Sequence, residues 1–258
     1  MISFSSQTET SIKFAADLFR QSKHAVILTG AGFSTPSGIP DFRSTGSGLW
    51  SRDEPMEVAS LNTFRTHPED FFSWFRPLAS QIFYAQPNPA HLALAELEAH
   101  GYVKSIITQN VDTLHQKAGS KTVIEMHGTM KTLTCSQCYH QAQAEAHLLP
   151  FVERGEIPHC PKCGQILKPD VILFGEQLPQ AGWFAAQREA RQCDLMLVAG
   201  SSLEVLPVAG LPMQALDRGA HLAIINNMPT YLNVRADVVF FEDVAELLPA
   251  ITERVLNG

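Results

Sequence analysis

The chain has 258 residues, 45% of them hydrophobic, which suits one large domain that carries a smaller insertion. Its formal net charge of −7 at pH 7 argues against a broad phosphate-binding surface, so direct binding of nucleic acid is not expected. The N-terminus lacks a secretion signal and no apolar run approaches the ~18 residues of a membrane helix, so we expect a cytoplasmic protein without a membrane partner.

The first predicted strand runs directly into a glycine-rich loop. A helix is predicted over residues 11–22, where apolar residues recur with a helical period, and an apolar strand follows at residues 25–29. Gly30 and Gly32 then leave no Cβ at the sharp turn, so backbone N–H groups of the turn can approach a pyrophosphate. Because short glycine motifs also occur in ordinary turns, this motif alone only suggests dinucleotide binding.

Three functional side chains follow in consecutive positions of the same loop. They are Asp41, Phe42 and Arg43, and the preceding Gly38-Ile-Pro40 fixes the path of the backbone. A carboxylate, an aromatic ring and a guanidinium on such a loop indicate a segment that binds a ligand.

Residues 44–88 differ in composition from the segments on either side. Scattered phenylalanine and tryptophan residues alternate with prolines, which predicts an inserted module of short helices. The aromatic stretch at residues 71–75 is assigned to the core of this module rather than to a binding platform.

Regular alternation of helices and strands resumes after residue 88. The predicted elements are a helix at 90–99, strands at 103–108 and 123–125, a strand and turn at 169–176, a helix at 180–191, strands at 195–198, 221–225 and 238–241, and a closing helix capped by Asp243 and Glu246. This alternation predicts an α/β fold with a doubly wound parallel sheet. The polar loop at residues 109–115 follows a strand, at the end where such sheets bind ligands.

Four cysteines form two Cys-x-x-Cys pairs. Cys135 and Cys138 are separated from Cys160 and Cys163 by 21 residues, and two such pairs supply four thiolates to one tetrahedral zinc ion. Four cysteines leave no coordination position for water, so the metal is predicted to be structural. Cys193 stands alone beside a predicted strand and is interpreted as a buried, unpaired thiol.

His127 follows the strand at 123–125 without any metal-binding pattern around it. A lone histidine is usually structural. Here, however, it stands at a strand end near two other polar segments, residues 109–112 and 41–43, where a base could face a bound ligand.

Seven motifs, taken in order, resemble those of the sirtuins, the NAD-dependent protein deacylases. The motifs are Gly30-Ala-Gly-x-Ser34, Gly38-Ile-Pro-Asp-Phe-Arg43, Thr108-Gln-Asn-x-Asp112-x-Leu-His115, His127-Gly128, the two Cys-x-x-Cys pairs, Phe174-Gly-Glu176 and Gly200-Ser-Ser202. The resemblance implies a Rossmann-like NAD-binding domain with a smaller inserted domain, made of a zinc ribbon and a helical module. The larger domain would comprise residues 1–43, 89–127 and 168–258, and the smaller one residues 44–88 and 128–167.

The resemblance also implies an activity. The chain would use NAD to remove acyl groups, most simply acetyl, from protein lysines, and would release nicotinamide and O-acyl-ADP-ribose. Its cofactors would be NAD and structural Zn2+, and its partners acyl-lysine proteins. Two alternatives stay open: an ADP-ribosyltransferase or NAD glycohydrolase on the same scaffold, and a nucleotide-sensing binding module without turnover. The sequence leaves the oligomeric state open.

Residue roles follow from the same resemblance. His127 would be the general base that takes a proton from a ribose hydroxyl, and Phe42 would cover the nicotinamide ring. The residues implied to contact the cofactor are Gly30, Ala31, Gly32, Ser34, Asp41, Phe42, Arg43, Gln109, Asn110, Asp112, Gly200, Ser201, Ser202, Asn226 and Val244. Those implied to contact the substrate peptide, as two strands on either side of it, are Val171, Phe174, Gly175, Glu176, Leu203 and Val205.

Two departures from the family pattern, at Thr113 and at residues 225–229, weaken the assignments on the adenine side. Sirtuins that remove succinyl or malonyl groups carry a Tyr-x-x-Arg pair in the helical module. This chain has Arg76 there without an aligned tyrosine, which favours neutral acyl groups.

Overall fold

The computed structural model describes residues 4–41 and 55–258, and every structural statement below refers to these residues. In chain order the strands are β1 (Ala25–Thr29), β2 (Val103–Thr108), β3 (Val123–Glu125), β4 (Gly128–Cys135), β5 (Gln141–Gln143), β6 (Leu167–Val171), β7 (Leu195–Ala199), β8 (His221–Ile225) and β9 (Val238–Phe240). The helices are α1 (Ser6–Gln21), α2 (Pro55–Val58), α3 (Leu61–Thr66), α4 (Pro68–Tyr84), α5 (Pro89–Ala99), α6 (Leu114–Ala118), α7 (Glu145–Arg154), α8 (Gln180–Gln192), α9 (Leu211–Leu216) and α10 (Val244–Asn257).

Among the described residues, six strands form a parallel sheet in the order β3-β2-β1-β7-β8-β9. Both faces of the sheet are covered, because side chains of β1 alternate between two cores. Ala25 and Ile27 pack with α1, α5 and α10, whereas Val26 and Leu28 pack with α8 and α9. The predicted doubly wound parallel sheet is therefore confirmed.

A second, antiparallel sheet has the order β5-β4-β6 and packs with the helical module. Phe71, Phe72 and Phe75 of α4 are buried in this core, as their assignment to packing predicts, and Phe72 contacts Phe151 of α7 with ring centroids 5.3 Å apart. The helical module and the zinc ribbon thus share one core. The domain boundaries themselves stay a prediction.

The helix α4 corrects the expectation that prolines keep the helices of this module short. It continues for 17 residues through Pro77. One internal proline removes a single backbone hydrogen bond, and the apolar face that includes Phe75 and Leu78 packs on either side of it, so tertiary burial outweighs the loss. None of the helices in the described ranges has both the length and the apolar character that membrane crossing requires.

Candidate cofactor and catalytic site

The strand order changes direction between β1 and β7. Strands β2 and β3 lie on one side of this pair, and β8 and β9 lie on the other. In doubly wound sheets the loops at such a switch point diverge and leave a crevice beyond the carboxyl ends of the strands. The loops after β1 and β7, which contain the glycine motif and Gly200-Ser-Ser202, are therefore placed where a dinucleotide binds in this class of fold.

Close packing between these two loops explains their glycines. A Cβ on Gly30 would lie 2.9 Å from the carbonyl oxygen of Gly200, and a Cβ on Gly200, whose φ is +63°, would lie 2.2 Å from the backbone nitrogen of Phe33. The N–H groups of Gly30 and Gly32 donate to the carbonyls of Ala199 and Gly200 at 3.2 and 2.9 Å. These two N–H groups are thus bonded within the protein, and the predicted contact of Gly30 and Gly32 with a pyrophosphate stays a prediction.

A buried polar cluster joins the loops after β1 and β2. The Ser34 hydroxyl donates to Asp112 Oδ2 at 2.7 Å, and the Leu114 N–H donates to Oδ1 at 2.8 Å. Asn110 Nδ2 donates to both the Ser34 hydroxyl and the Gly30 carbonyl at 3.0 Å. Burial raises the pKa of Asp112, while the bonds from Leu114 and Ser34 oppose that shift. The cluster presents a fixed amide and a desolvated carboxyl group side by side.

His127 is oriented by the same loop. Its Nδ1 lies 3.0 Å from the carbonyl oxygen of Gln109, which can only accept, so the ring proton is on Nδ1. Burial lowers the pKa of His127, and the bond to Gln109 opposes the shift only in part. The imidazole is therefore neutral near pH 7 with an unprotonated Nε2, which is the form of a general base.

The loops after β2 and β7 are also tied together. Gln109 Nε2 donates to the Ser201 hydroxyl at 2.9 Å, and the Leu203 N–H donates to the same oxygen at 3.3 Å. Ser201 is buried, whereas Ser202 is partly exposed. The predicted catalytic loop and the predicted phosphate loop are thus in direct contact.

The remaining predicted cofactor residues are Ala31, Asp41, Phe42, Arg43, Asn226 and Val244. Asp41 is half-buried and is the last described residue before the gap, and Phe42 and Arg43 lie outside the described residues. Asn226 follows β8 and donates from Nδ2 to the Met228 carbonyl at 2.7 Å, and Val244 is buried at the start of α10. Their adenosine-side roles, like that of Ala31, stay predictions.

The residues predicted to contact the substrate peptide differ in their hydrogen bonds, burial and backbone conformation. The Phe174 N–H donates to the Ala59 carbonyl and the Leu61 N–H donates to the Phe174 carbonyl, each at 3.0 Å. The Phe174 N–H and one acceptor position of its carbonyl are therefore engaged within the protein, and the residue is 40% exposed. Val171 and Leu203 have buried side chains, Gly175 has φ +90°, and Val205 is exposed.

Sequence reasoning missed the partner of Glu176. Its carboxylate accepts from the Leu173 N–H at 2.8 Å and pairs with Lys168 Nζ at 3.0 Å, which fixes the turn after β6. A lysine eight positions before an acidic residue gives no sequence signal for this pairing. Only the fold of the turn brings the two together.

The four cysteines converge as predicted. All four sulfur atoms lie within 4.8 Å of one another, with Cys135 Sγ 3.5 Å from Cys163 Sγ and Cys138 Sγ 3.6 Å from Cys160 Sγ. Bonds of ~2.3 Å to a tetrahedral zinc ion separate sulfurs by about 3.8 Å, so the cluster fits zinc with no open position. Cys193 is buried elsewhere, and burial raises the pKa of its thiol to about 12.

Comparison with known proteins gives a consistent result. A family model described as the Sir2 family matches residues 30–207. An Archaeoglobus fulgidus protein named NAD-dependent protein deacylase 2 is 46% identical over 248 residues, which cover 96% of this chain and 97% of the relative. A solved structure from work on the mechanism and regulation of Sir2 enzymes has TM-score 0.89 and 46% identity, and covers 96% of this chain and 99% of its own. A Sir2 structure with a p53 peptide and NAD+ has TM-score 0.86 and 37% identity over 96% and 99% of the two chains.

Proposed function

The chain belongs to the Sir2 family, and from that premise we propose that it is an NAD-dependent protein-lysine deacylase that acts most readily on acetyl-lysine. The observation that carries the proposal is the neutral His127, oriented by Gln109 next to the Ser34–Asn110–Asp112 cluster. The relative's name and the solved complex with a peptide and NAD+ support the same cofactor and substrate class.

The loops at the switch point between β1 and β7 would hold NAD. A Cβ on Gly30 or Gly200 would collide with backbone of the facing loop, so only glycine lets the two loops pack together at the carboxyl end of the sheet. Ser201 and the partly exposed Ser202 would hold the phosphates and the adjoining ribose there. NAD, when bound, supplies the ribose carbon that accepts the acyl oxygen after nicotinamide has left.

The polar cluster would hold the nicotinamide end. Asn110 has its side-chain nitrogen fixed by two acceptors, Gly30 O and Ser34 Oγ, so the direction of its amide is set before any ligand binds. Asp112 is fixed by two donors. Preorganised groups of this kind bind a planar carboxamide without reorganising.

His127 would take the proton from a ribose hydroxyl at Nε2. Because Nδ1–H is held by the Gln109 carbonyl, proton uptake gives an imidazolium whose Nδ1 side is already hydrogen-bonded. The zinc cluster takes no part in this step, since four thiolates complete the coordination and the ribbon shares its core with the helical module.

The preference for neutral acyl groups rests on Arg76. Its Nε donates to the Val152 carbonyl at 3.0 Å and its Nη2 to the Glu153 carbonyl at 2.9 Å, so the guanidinium is bound to the last turn of α7. A buried acyl carboxylate would lack this partner, and an unpaired buried charge is costly. The cytoplasmic location stays a prediction.

Mass spectrometry of an acetyl-lysine peptide incubated with the protein and NAD tests the function. We expect loss of the acetyl group with release of nicotinamide and O-acetyl-ADP-ribose. His127→Asn should lower turnover by about 10²-fold to 10⁴-fold and leave NAD binding nearly unchanged. A gain of ADP-ribose on the peptide, or nicotinamide release without loss of acetyl, would instead favour a transferase or a glycohydrolase.

A further inference from the structure

Two histidines that have no role in the proposed reaction are buried behind the catalytic loop. His91 of α5 is 0% exposed and His115 of α6 is 1% exposed, and their ring centroids lie 4.8 Å apart. Both rings contact Phe33, at centroid distances of 4.8 and 5.1 Å. Burial lowers the pKa of His91 to about 3, and burial together with the His91 charge lowers that of His115 well below its usual value. Both imidazoles are therefore neutral.

The hydrogen bonds fix which nitrogen of each ring carries the proton. The Asn88 N–H donates to His91 Nδ1 at 3.3 Å, so the single proton of that neutral ring is on Nε2. The Thr29 hydroxyl donates its only proton to Thr108 Oγ1 at 2.9 Å. Its oxygen therefore accepts from His115 Nε2, also at 2.9 Å, and His115 Nδ1 is unprotonated.

The remaining nitrogens of the two rings are complementary. His91 Nε2 is a donor and His115 Nδ1 is an acceptor, and both are buried without a partner among the residues that the structure describes. They belong to rings that touch each other. No hydrogen bond joins the two rings, so the continuous path of hydrogen bonds runs from His115 through Thr29 to Thr108, and His91 packs against His115.

Thr108 connects the hydrogen bonds of His115 and Thr29 to the proposed active site. Its hydroxyl oxygen also accepts the Asn110 N–H at 3.1 Å. The side chain of Asn110 then bonds Gly30 and Ser34, and the preceding Gln109 carbonyl accepts from His127. One hydroxyl oxygen therefore anchors the backbone of the loop that orients both the amide and the base.

We propose that Thr29 and His115, with His91 packed against the His115 ring, form a buried hydrogen-bond relay that positions the loop at residues 109–112 for catalysis. These are positioning residues, because they act through Thr108 and not on substrate. The proposal rests on the proposed deacylase function. It adds that the relay sets the geometry of the catalytic loop, which affects kcat more than the KM for the peptide.

Two substitutions at Thr29 separate a relay from simple packing. Thr29→Ser keeps the hydroxyl but removes a buried methyl group, whereas Thr29→Val keeps the shape but removes the hydroxyl. A packing role makes the serine variant worse, because it leaves a cavity. The relay makes the valine variant worse, with kcat lowered about 10-fold or more and the serine variant within about 3-fold of the parent. Assays run well below the melting temperature of each variant, so that only folded protein is compared.

Thr252 provides the matched control. It is a buried threonine in α10 whose hydroxyl has no hydrogen-bond partner among the described residues. Thr252→Val therefore removes a buried hydroxyl outside the relay and should leave kcat unchanged. His115→Phe interrupts the relay at the next position, so its effect and that of Thr29→Val should not add in the double variant.

Nitrogen-15 NMR of the histidine side chains tests the relay independently of activity. His91 and His115 should both appear as neutral Nε2–H tautomers, unchanged between about pH 5 and pH 8. An Nδ1–H tautomer at His115 overturns the relay, as does a kcat for Thr29→Val that equals or exceeds that of Thr29→Ser, or an equal loss in Thr252→Val. If the parent chain shows no deacylation, the proposed function fails, while the tautomers still decide whether the relay exists.

Discussion

Gly128 lies where the chain passes from the parallel sheet into β4. Its φ is +81°, and a Cβ built there would lie 2.0 Å from the carbonyl oxygen of Asp170 and 2.9 Å from Val171 Cα. Both atoms are backbone of β6, so neither can move aside alone. Gly128→Ala therefore combines left-handed backbone strain of about 1–2 kcal/mol with a forced separation of β4 from β6.

The Gly219→Ala variant separates the backbone strain from the collision between strands. Its φ is +87°, but a Cβ there would have no atom within 4 Å, so Gly219→Ala carries only the backbone strain. In a chain of this size 1 kcal/mol lowers Tm by about 2–4 °C, so a strain of about 1–2 kcal/mol should lower the Tm of Gly219→Ala by about 2–8 °C. Adding a collision of about 2 kcal/mol brings Gly128→Ala to about 3–4 kcal/mol, and to a Tm lower by about 6–16 °C.

Activity should follow the same contrast, because His127 precedes Gly128 and its carbonyl accepts the Ile172 N–H at 2.8 Å. Separating the strands displaces the backbone of the base, and we expect kcat to fall about 10-fold or more in Gly128→Ala only. Calorimetry gives Tm, and nicotinamide release from NAD with an acetyl-lysine peptide gives kcat. Equal Tm shifts in the two variants, or full activity in Gly128→Ala, would refute this reasoning.

Three further predictions concern the metal, the acyl group and pH. Cys135→Ser should reduce bound zinc, measured by atomic absorption, and lower Tm, because an incomplete ligand set cannot order the ribbon; unchanged Tm in metal-free protein would contradict it. Succinyl-lysine should be processed at least ~10-fold more slowly than acetyl-lysine, and Arg76→Met should leave that ratio unchanged while lowering Tm; a change in the ratio would mean that Arg76 reaches the acyl group. Burial raises the pKa of Asp194, but bonds from Ser22 and from the Lys23 and His24 N–H groups outweigh it and hold the pKa low. Stability is then present above about pH 4 and lost as pH falls through the folded pKa, so Asp194→Asn should lower Tm at pH 7 and match the parent in acid; a constant difference would exclude this linkage.

The apolar runs of the sequence locate the strands closely. The predicted strands at 25–29, 103–108, 123–125 and 221–225 coincide with those in the structure, because each contains adjacent branched apolar residues. The first helix begins earlier than predicted, at Ser6, with Ser5 accepting the Thr8 N–H as its N-cap. Its first turn is polar, so the apolar period could not reveal it.

The features that could not be predicted from the sequence depend on contacts between segments that are distant in the chain. The sequence shows glycines at positions 30 and 32, but only the neighbouring β7 loop explains why a Cβ is excluded there. A strand near residue 169 is predictable, but its pairing with β4 rather than with the parallel sheet is not. In the sequence, Arg76 was the candidate for the arginine of the Tyr-x-x-Arg pattern. Its hydrogen bonds to the end of α7 could not be predicted, because they depend on how α4 and α7 pack together.

Asp112 and His127 are both buried ionisable groups, but they differ in which of their atoms are already hydrogen-bonded. Burial favours the neutral form of both, since it raises the pKa of the carboxyl group and lowers that of the imidazole. Each carboxylate oxygen of Asp112 already accepts a hydrogen bond, from the Ser34 hydroxyl and the Leu114 N–H. Within the described residues, His127 is bonded at Nδ1, which leaves Nε2 as the basic atom. In the proposed reaction, proton transfer would therefore fall to His127 and Asp112 would organise the binding pocket, even though a carboxylate and an imidazole can each act as a base elsewhere.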